Sequence, residues 1–240
     1  MKLAIMQPYL FPYIGYFQLI NSVDKFVFYD DVSFIKQGWI NRNNILLDGK
    51  KYMFSLPVKN ISSFCTINNT IVSDLPFKWN FKLISTIQQS YKKAPYFNMA
   101  FPQIENILKD SIGRPISDVS KDSIKMVLDY LGLNKVIIET SAIYNNNHLK
   151  SEERVIDICI KENASEYINP IGGSDLYFEK NFKRNNINLK FLKSNEIIYH
   201  QLNQEFVHSL SIIDIIMFND VEMINNELLS AFSLSSNSYD

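Results

Sequence analysis

The sequence predicts an α/β protein with a Rossmann-like, doubly wound parallel sheet of about five strands. In its second half, strand-like and helix-like segments alternate at short intervals, which is typical of parallel strands joined by right-handed crossovers. Two short runs near the N-terminus have the composition of buried strands. A strand-like pair of runs around Asp48-Gly49 adds a β-hairpin, because Asp-Gly readily takes positive φ.

The first half begins with two predicted strands of the parallel sheet. Residues 2–6 are apolar, and residues 25–29 are β-branched and aromatic. Between them, a turn rich in proline and tyrosine at 7–13 precedes a short helix at 14–20. This arrangement predicts a strand, a helical crossover and a neighbouring strand.

The central part of the chain, residues 43–131, is predicted to be an insertion or cap on the sheet. Its elements are hairpin strands at 43–48 and 50–58, a strand at 65–73, and helices at 76–93, 96–112 and 116–131. Pro95 and the run Gly113-Arg114-Pro115 separate the helices, as helix breakers do.

The second half supplies the other three strands of the predicted sheet. The strands are at 135–140, 166–169 and 188–193, and the helices are at 151–163, 173–185, 209–218 and 221–231. We therefore expect one domain over residues 1–231, followed by a flexible polar tail at 232–240.

Composition excludes several classes of protein. Hydrophobic residues make up 46% of the 240 residues, which is too much for a disordered chain. A net charge of -1 argues against a nucleic-acid partner. Two cysteines and three widely spaced histidines predict neither a disulfide framework nor a metal site. No run approaches the roughly 18 apolar residues of a membrane span, so we expect a cytoplasmic protein.

Ligands of an open α/β sheet bind beyond the carboxyl ends of its strands, so the turns there hold the candidate site residues. After the first strand these are Gln7, Tyr13 and Gly15. Gly15 at a helix start would let a ligand approach the unpaired N–H groups of that helix. The alternative is a rigid packed turn, since aromatic residues fill cores more often than sites.

The turn after the second strand carries charged, amide and aromatic side chains. They are Asp30, Asp31, Lys36, Trp39, Asn41 and Arg42. Arg42 would clamp a phosphate or carboxylate with its planar fork, and Trp39 would stack on a base or sugar. Adjacent carboxylates are also often a helix cap beside a solvated neighbour.

A glycine pair follows the strand predicted at 166–169. Gly172 and Gly173 precede Ser174 and Asp175, which would donate or accept hydrogen bonds in a phosphate- or substrate-binding turn. The alternative for this turn is a helix N-cap with a flexible entry.

Two histidines are candidate general bases. His208 precedes a predicted helix that also contains Asp214, with Ser211 at its start as a second candidate binding residue. His148 lies in a polar turn that follows a strand. A single histidine at a helix start is more often structural.

Four segments resemble the WbqC-like family of bacterial proteins. They are IMQPYLFPYIGYFQLI, VDKFVFYDDVSFIKQGWINRN, NPIGGSDLY and FVHSLSIIDIIMFN, at residues 5–20, 23–43, 169–177 and 206–219. The resemblance implies a transferase of O-antigen (lipopolysaccharide) and other surface-polysaccharide biosynthesis, which N-acylates a nucleotide-linked amino sugar. It implies no permanently bound cofactor, and an acyl donor such as acyl-CoA or an acyl carrier protein.

Roles for the candidate residues follow from that reaction. Asp30 or Asp31 would take the amine proton, with His148 or His208 as less favoured bases. Lys36 and Arg42 would hold phosphate, Tyr13 and Trp39 would stack on the base or sugar, and N–H groups near Gly172-Gly173 would bind the oxyanion. We also expect Asp30 and Tyr13 to face one cavity, because their strands are neighbours.

The run Tyr13-Ile14-Gly15-Tyr16 resembles the His-x-Gly-His motif of nucleotidylyltransferases in position, with tyrosine at both histidine positions. Two other interpretations therefore stay open. One is a nucleotidylyltransferase-like or adenylate-forming enzyme, which would use ATP or CTP with Mg²⁺ and release pyrophosphate. The other is a non-catalytic protein that binds a nucleotide-linked sugar in the same pathway.

Overall fold

A computed structural model describes residues 1–59, 65–202 and 205–236. The strands, in chain order, are β1 (Lys2–Met6), β2 (Lys25–Phe28), β3 (Arg42–Leu47), β4 (Lys50–Ser55), β5 (Val58–Lys59), β6 (Ile71–Val72), β7 (Val136–Ile138), β8 (Glu166–Pro170), β9 (Asn188–Ser194) and β10 (Phe232–Ser235). The α-helices are α1 (Ile14–Ser22), α2 (Trp79–Tyr91), α3 (Phe97–Lys109), α4 (Ile116–Tyr130), α5 (Ser151–Lys161), α6 (Glu179–Lys183), α7 (Ile212–Phe218) and α8 (Val221–Met223).

A six-stranded sheet with the order β10-β9-β8-β1-β2-β7 forms the centre of the molecule. Strands β9, β8, β1, β2 and β7 run parallel, and with the helices they confirm the α/β class. From β1 the chain adds β2 and β7 on one side, and then β8 and β9 on the other. Strand order therefore reverses between β1 and β8.

The predicted count of five strands is wrong because β10 extends the sheet. It pairs antiparallel with β9, where the sequence predicted a flexible tail at 232–240. Phe232 is half-buried against the core, and apolar residues alternate with serine along β10. This alternation is typical of an edge strand, whereas the polar composition of residues 232–240 favoured a tail. Residues 237–240 lie outside the described part of the chain.

Both faces of the sheet are covered. Ala4 and Phe26 point to one face, where they pack in one core with Phe17 of α1. Leu3 and Val27 point to the other face, in a second core with residues of α5 and α6. Successive side chains of a pleated strand point to opposite faces of the sheet. Because both faces are buried, β1 and β2 are continuous apolar runs in the sequence.

The central insertion has the predicted hairpin and three helices. Asp48 and Gly49 connect β3 to β4 with φ values of +48° and +77°, as expected for a two-residue hairpin turn. Helices α2, α3 and α4 pack their apolar faces into the same core as Ala4. The strand predicted at 65–73 is shorter, because Ile67–Asn69 forms a 3-10 turn before β6.

Two predicted C-terminal helices also differ from the structure. The segment predicted as a helix at 173–185 is a 3-10 turn at Ile171–Leu176 followed by α6, since Gly172-Gly173 disfavours a regular helix. The helix predicted at 221–231 is α8 followed by a π-type turn at Ile224–Leu228. Within the described ranges, no helix has the length and apolarity that crossing a bilayer requires.

Candidate functional site

A cleft of about 790 Å³ lies at the carboxyl ends of β1, β2 and β8. This is the edge where strand order reverses, and ligands of open α/β sheets bind at such a point. The structure brings five predicted binding residues together in the lining of this cleft: Gln7, Tyr13, Trp39, Gly172 and Gly173. We call this cavity the main cleft.

Tyr13 reaches the main cleft because Gly15 leaves room for its ring. A Cβ atom at position 15 would lie 2.3 Å from Tyr13 Cε2. Gly15 itself does not line the main cleft. Its predicted role of admitting a ligand is therefore replaced by that of admitting the Tyr13 side chain.

The turn between β1 and α1 is held in an unusual conformation. Phe11 has a φ of +40°, a region that residues with a Cβ rarely adopt. Its N–H donates to Ser123 Oγ at 2.9 Å, and its carbonyl accepts from Asn43 Nδ2 and Ser211 Oγ, both at 2.7 Å. These bonds offset the strain of the Phe11 backbone and fix the position of the turn from which the Tyr13 side chain projects.

Ser211 is therefore buried and bonded to the backbone, and it does not line the main cleft. Its hydroxyl also accepts from the N–H of Ile213 at the start of α7, as an N-cap does. The predicted substrate-binding role for Ser211 is not supported by this position.

Four tyrosines line the main cleft. They are Tyr9, Tyr13, Tyr29 and Tyr177. Burial raises the pKa of each of these phenols above its ordinary value. They are thus neutral near pH 7, where each hydroxyl can donate one hydrogen bond and accept others.

Tyr16, the second tyrosine of the run that resembles His-x-Gly-His, faces the core. Its hydroxyl donates to the carbonyl of Gln7 at 2.9 Å, and full burial raises its pKa well above the ordinary value. Of the two tyrosines in the run, only Tyr13 lines the main cleft.

Asp30 lies beneath the main cleft and not in it. Its carboxylate is buried, and it accepts from Lys121 Nζ and Thr140 Oγ1, both at 2.6 Å. The prediction that Asp30 and Tyr13 face one cavity is wrong, because successive side chains at the end of β2 point in opposite directions. Tyr29 takes the position in the main cleft instead.

Asp31 is also held by a cation. Arg154 Nη2 lies 2.7 and 2.6 Å from its two carboxylate oxygens, and Ser141 donates its hydroxyl to the same carboxylate. The Arg154 guanidinium lies 4.9 Å from the centre of the Tyr29 ring. The Asp31–Arg154 ion pair therefore packs against Tyr29, a residue that lines the main cleft.

The other polar residues predicted after the second strand do not line the main cleft. Arg42 donates to the carbonyl of Gln37, and its guanidinium lies 5.5 Å from the centre of the Trp39 ring. Asn41 donates to the carbonyl of Leu56 at 2.8 Å, and Lys36 is exposed. Arg42 thus packs against Trp39, and its predicted role as a phosphate clamp stays a prediction.

Gly173 makes room for a side chain in the same way as Gly15. A Cβ atom at position 173 would lie 2.2 Å from Nδ2 of Asn169, which lines the main cleft, whereas one at Gly172 would meet open space. Ser174 and Asp175 belong to the same 3-10 turn as the two glycines and lie outside the lining.

Asp214 lies in the core, away from the main cleft. It accepts hydrogen bonds from Tyr91 at 2.9 Å, Tyr199 at 2.6 Å and Gln201 at 2.8 Å. Burial raises the pKa of this carboxyl above its ordinary value. Its position supports a structural role and not the predicted contact with substrate.

Neither predicted histidine base lies in the main cleft. His208 is exposed, 3.8 Å from Glu196, and lines a separate cavity of about 330 Å³ that Tyr13 also borders. His148 is exposed in the turn before α5. No group of three or more His, Cys, Asp or Glu side chains in the described ranges is placed to hold a metal ion.

Sequence reasoning missed Glu152, the one carboxylate among the described residues that line the main cleft. Its Oε1 accepts from the N–H of Phe178 and its Oε2 from Asn181 Nδ2, both at 2.5 Å. An acidic residue in the first turn of a helix is common, so no sequence signal distinguishes Glu152 from Glu153. Tyr9, Tyr29, Asn169 and Tyr177 were missed as well, although they flank predicted residues.

Comparisons with known proteins place the chain among relatives. It is 26% identical over 220 residues to the uncharacterized protein Rv1507c of Mycobacterium tuberculosis, covering 91% of this chain and 93% of that protein. No solved structure significantly resembles it. The model of the WbqC-like protein family matches residues 7–226, which include every segment that forms the main cleft apart from the end of β1. The chain therefore belongs to the WbqC-like protein family.

Proposed function

We propose that the main cleft binds a nucleotide-linked amino sugar and that the protein transfers an acyl group to the sugar amine. The pathway we infer is the biosynthesis of surface polysaccharides such as O-antigen. The observation that carries the proposal is the lining of the cleft, where aromatic, amide and aliphatic side chains surround one carboxylate among the residues that the structure describes.

Aromatic and amide side chains suit a sugar. Tyr13 and Trp39 offer exposed rings on which the apolar face of a pyranose can stack. Neutral phenols and the amides of Gln7 and Asn169 can exchange hydrogen bonds with sugar hydroxyls. The volume of the cleft is in the range of cavities that hold small molecules, roughly 300–1,000 Å³.

Glu152 takes over the role that the sequence suggested for Asp30 or Asp31. Both aspartates are held by buried cations, whereas the Glu152 carboxylate borders the main cleft and keeps lone pairs beyond its two hydrogen bonds. It would hold the amino group of the sugar and accept its proton.

The transfer itself is an exchange of a thioester for an amide. The neutral amine nitrogen attacks the thioester carbonyl, the C–N bond forms, and the C–S bond breaks. One amine proton passes to Glu152, which then gives it to the departing thiolate, so that a free thiol leaves and the carboxylate is restored. The developing oxyanion would accept from backbone N–H groups near Gly172-Gly173.

The main cleft supports the two alternative functions to different degrees. Nucleotidylyl transfer needs cations near the reacting phosphate, and the described lining of the main cleft contains no Lys, Arg or His. A non-catalytic protein that binds a nucleotide-linked sugar is favoured by a different observation, the engagement of Asp30 and Asp31 in ion pairs.

The test combines binding with turnover. We would measure the melting temperature with UDP-, GDP-, CMP- and dTDP-linked amino sugars, since a bound ligand raises it. Mass spectrometry would then detect N-acylated product with acyl-CoA or acyl carrier protein as donor. Glu152→Gln should keep binding and lose turnover, and Glu153→Gln, which changes an exposed neighbour outside the cleft, should keep both.

The possible failures are distinct. If none of these sugars raises the melting temperature, the proposed substrate class is wrong. Binding without product from any donor would select the non-catalytic alternative. Full turnover in Glu152→Gln would remove Glu152 from the mechanism.

A further inference from the structure

A second cavity of about 350 Å³ adjoins the main cleft. The two cavities share Tyr9, Tyr13 and Trp39, so they lie side by side along one wall. The remaining wall of the second cavity includes Asn43 and Lys51 of the β3–β4 hairpin. We call this cavity the side pocket.

Three segments of the chain fix the walls of the side pocket. Asn43 Nδ2 donates to the carbonyl of Leu10 at 3.1 Å and to that of Phe11 at 2.7 Å, which joins the hairpin to the turn after β1. The carbonyl of Asn44 accepts from the N–H of Ser211 at 2.8 Å, which joins it to the start of α7. The side pocket is therefore built by long-range contacts and exists before any ligand binds.

The charges of the two cavities differ in sign. The main cleft has Glu152 as its only described charged lining residue, and the side pocket has Lys51. The ammonium group of Lys51 makes no hydrogen bond or ion pair with any residue that the structure describes. An anionic group is thus repelled by the carboxylate of the main cleft and attracted to a free ammonium group next to it.

We propose that the side pocket is a phosphate subsite, in which Lys51 binds the diphosphate of the nucleotide-linked sugar while the sugar occupies the main cleft. This inference rests on the proposed function and deepens it, because it assigns the two ends of one ligand to two cavities. Trp39 and Tyr13 form the wall that both parts of the ligand contact.

The experiment begins with inorganic pyrophosphate, which probes the subsite without a sugar. Its dissociation constant would be measured by titration calorimetry for the wild-type protein, Lys51→Met and Lys50→Met. Lys50 is the matched control, because alternation along β4 points it to the opposite face and it lines neither cavity. We expect Lys51→Met to bind about tenfold more weakly, the loss expected for one charge-assisted hydrogen bond, and Lys50→Met to bind normally.

Absence of binding to the wild-type protein, or an equal loss in both variants, would overturn the subsite. A second measurement separates it from the proposed function. If pyrophosphate depends on Lys51 but no nucleotide-linked amino sugar binds, the subsite stands and the function fails. If such a sugar binds the wild-type protein and Lys51→Met equally well, the function stands and the subsite fails.

Acyl-CoA also carries phosphate groups, so it is titrated in parallel. A loss of affinity in Lys51→Met for the nucleotide-linked sugar, with unchanged affinity for acyl-CoA, supports the assignment. A loss confined to acyl-CoA would overturn it.

Discussion

The ring of Tyr13 lies directly against Gly15, so that a Cβ atom at position 15 would come within 2.3 Å of Tyr13 Cε2. Tyr13 borders the main cleft, the side pocket and the cavity next to His208. The position of one ring therefore sets the shape of three adjoining cavities, and a glycine in the first turn of α1 sets the position of that ring.

Gly15→Ala should weaken ligand binding without destabilising the fold. The methyl group meets only the far end of a half-exposed side chain, whereas alanine is favoured over glycine inside a helix by about 1 kcal/mol. We expect an unchanged or higher melting temperature and a several-fold loss of affinity for the nucleotide-linked sugar. In a Tyr13→Ala background the same substitution should cause no further loss, and full affinity of Gly15→Ala would contradict this account.

Gly173→Ala should impair binding while Gly172→Ala should not. A methyl group at 173 would push the Asn169 amide, whose Nδ2 lies 2.2 Å from the Cβ position, out of its place in the main cleft. At 172 it would meet open space. Titration calorimetry on the two variants compares neighbouring glycines in one turn, and similar affinities would show that Asn169 does not contact the ligand.

Asp30→Asn should be strongly destabilising. It leaves the buried ammonium group of Lys121 without the carboxylate that lies 2.6 Å away, and breaking a buried pair costs about 3–5 kcal/mol. Asp118→Asn is the control, because it removes the other carboxylate near Lys121, which is half-exposed at 3.7 Å and worth less than about 1 kcal/mol. Urea unfolding measures both, and equal small losses would show that the Asp30–Lys121 pair contributes little.

Asp214→Asn should change how stability depends on pH. Burial raises the pKa of Asp214 in the folded protein, so the folded state binds this proton more tightly than the unfolded chain. The contribution of Asp214 to stability is therefore greatest at low pH and falls as pH rises from the ordinary value of 3.8 through the raised value. We expect the stability of the wild type relative to Asp214→Asn to be greater at about pH 4, close to the ordinary pKa, than at about pH 7.5.

Unfolding by urea at the two pH values gives this difference directly. Asp110→Asn, a change at an exposed position, provides the background for replacing a carboxylate with an amide. A difference for Asp214→Asn that is constant with pH, or that grows as pH rises, would contradict the prediction.

The parallel sheet could be predicted because apolar runs and strand–helix alternation are local patterns. The edge strand β10 could not, since a run such as Phe232–Ser235 becomes a strand only when a partner such as β9 offers its backbone. Likewise, the region of the site was predicted from the turns that follow parallel strands. Which side chains enter it was predicted only in part.

Asp30 and Tyr29 show why the side chains that line the main cleft could be predicted only in part. They are adjacent in sequence, and charge made Asp30 the more obvious candidate, yet the pleat places the tyrosine in the main cleft and the aspartate against Lys121. Lys121 is 91 residues further along the chain, so no sequence pattern near Asp30 predicts the Asp30–Lys121 ion pair. Glu152 became visible as a site residue only once α5 was placed beside β1 and β2.

The position of β1 between β2 and β8 has a consequence for synthesis on the ribosome. Lys2 pairs with Glu166, so β1 waits for a partner made 164 residues later. Until then β1 has one unpaired edge, and the main cleft lacks the wall formed by Asn169 and the glycine turn. Non-local strand pairing of this kind slows folding and exposes the nascent chain to misassociation. Ligand binding therefore becomes available only after β8 and the glycine turn have left the ribosome and docked.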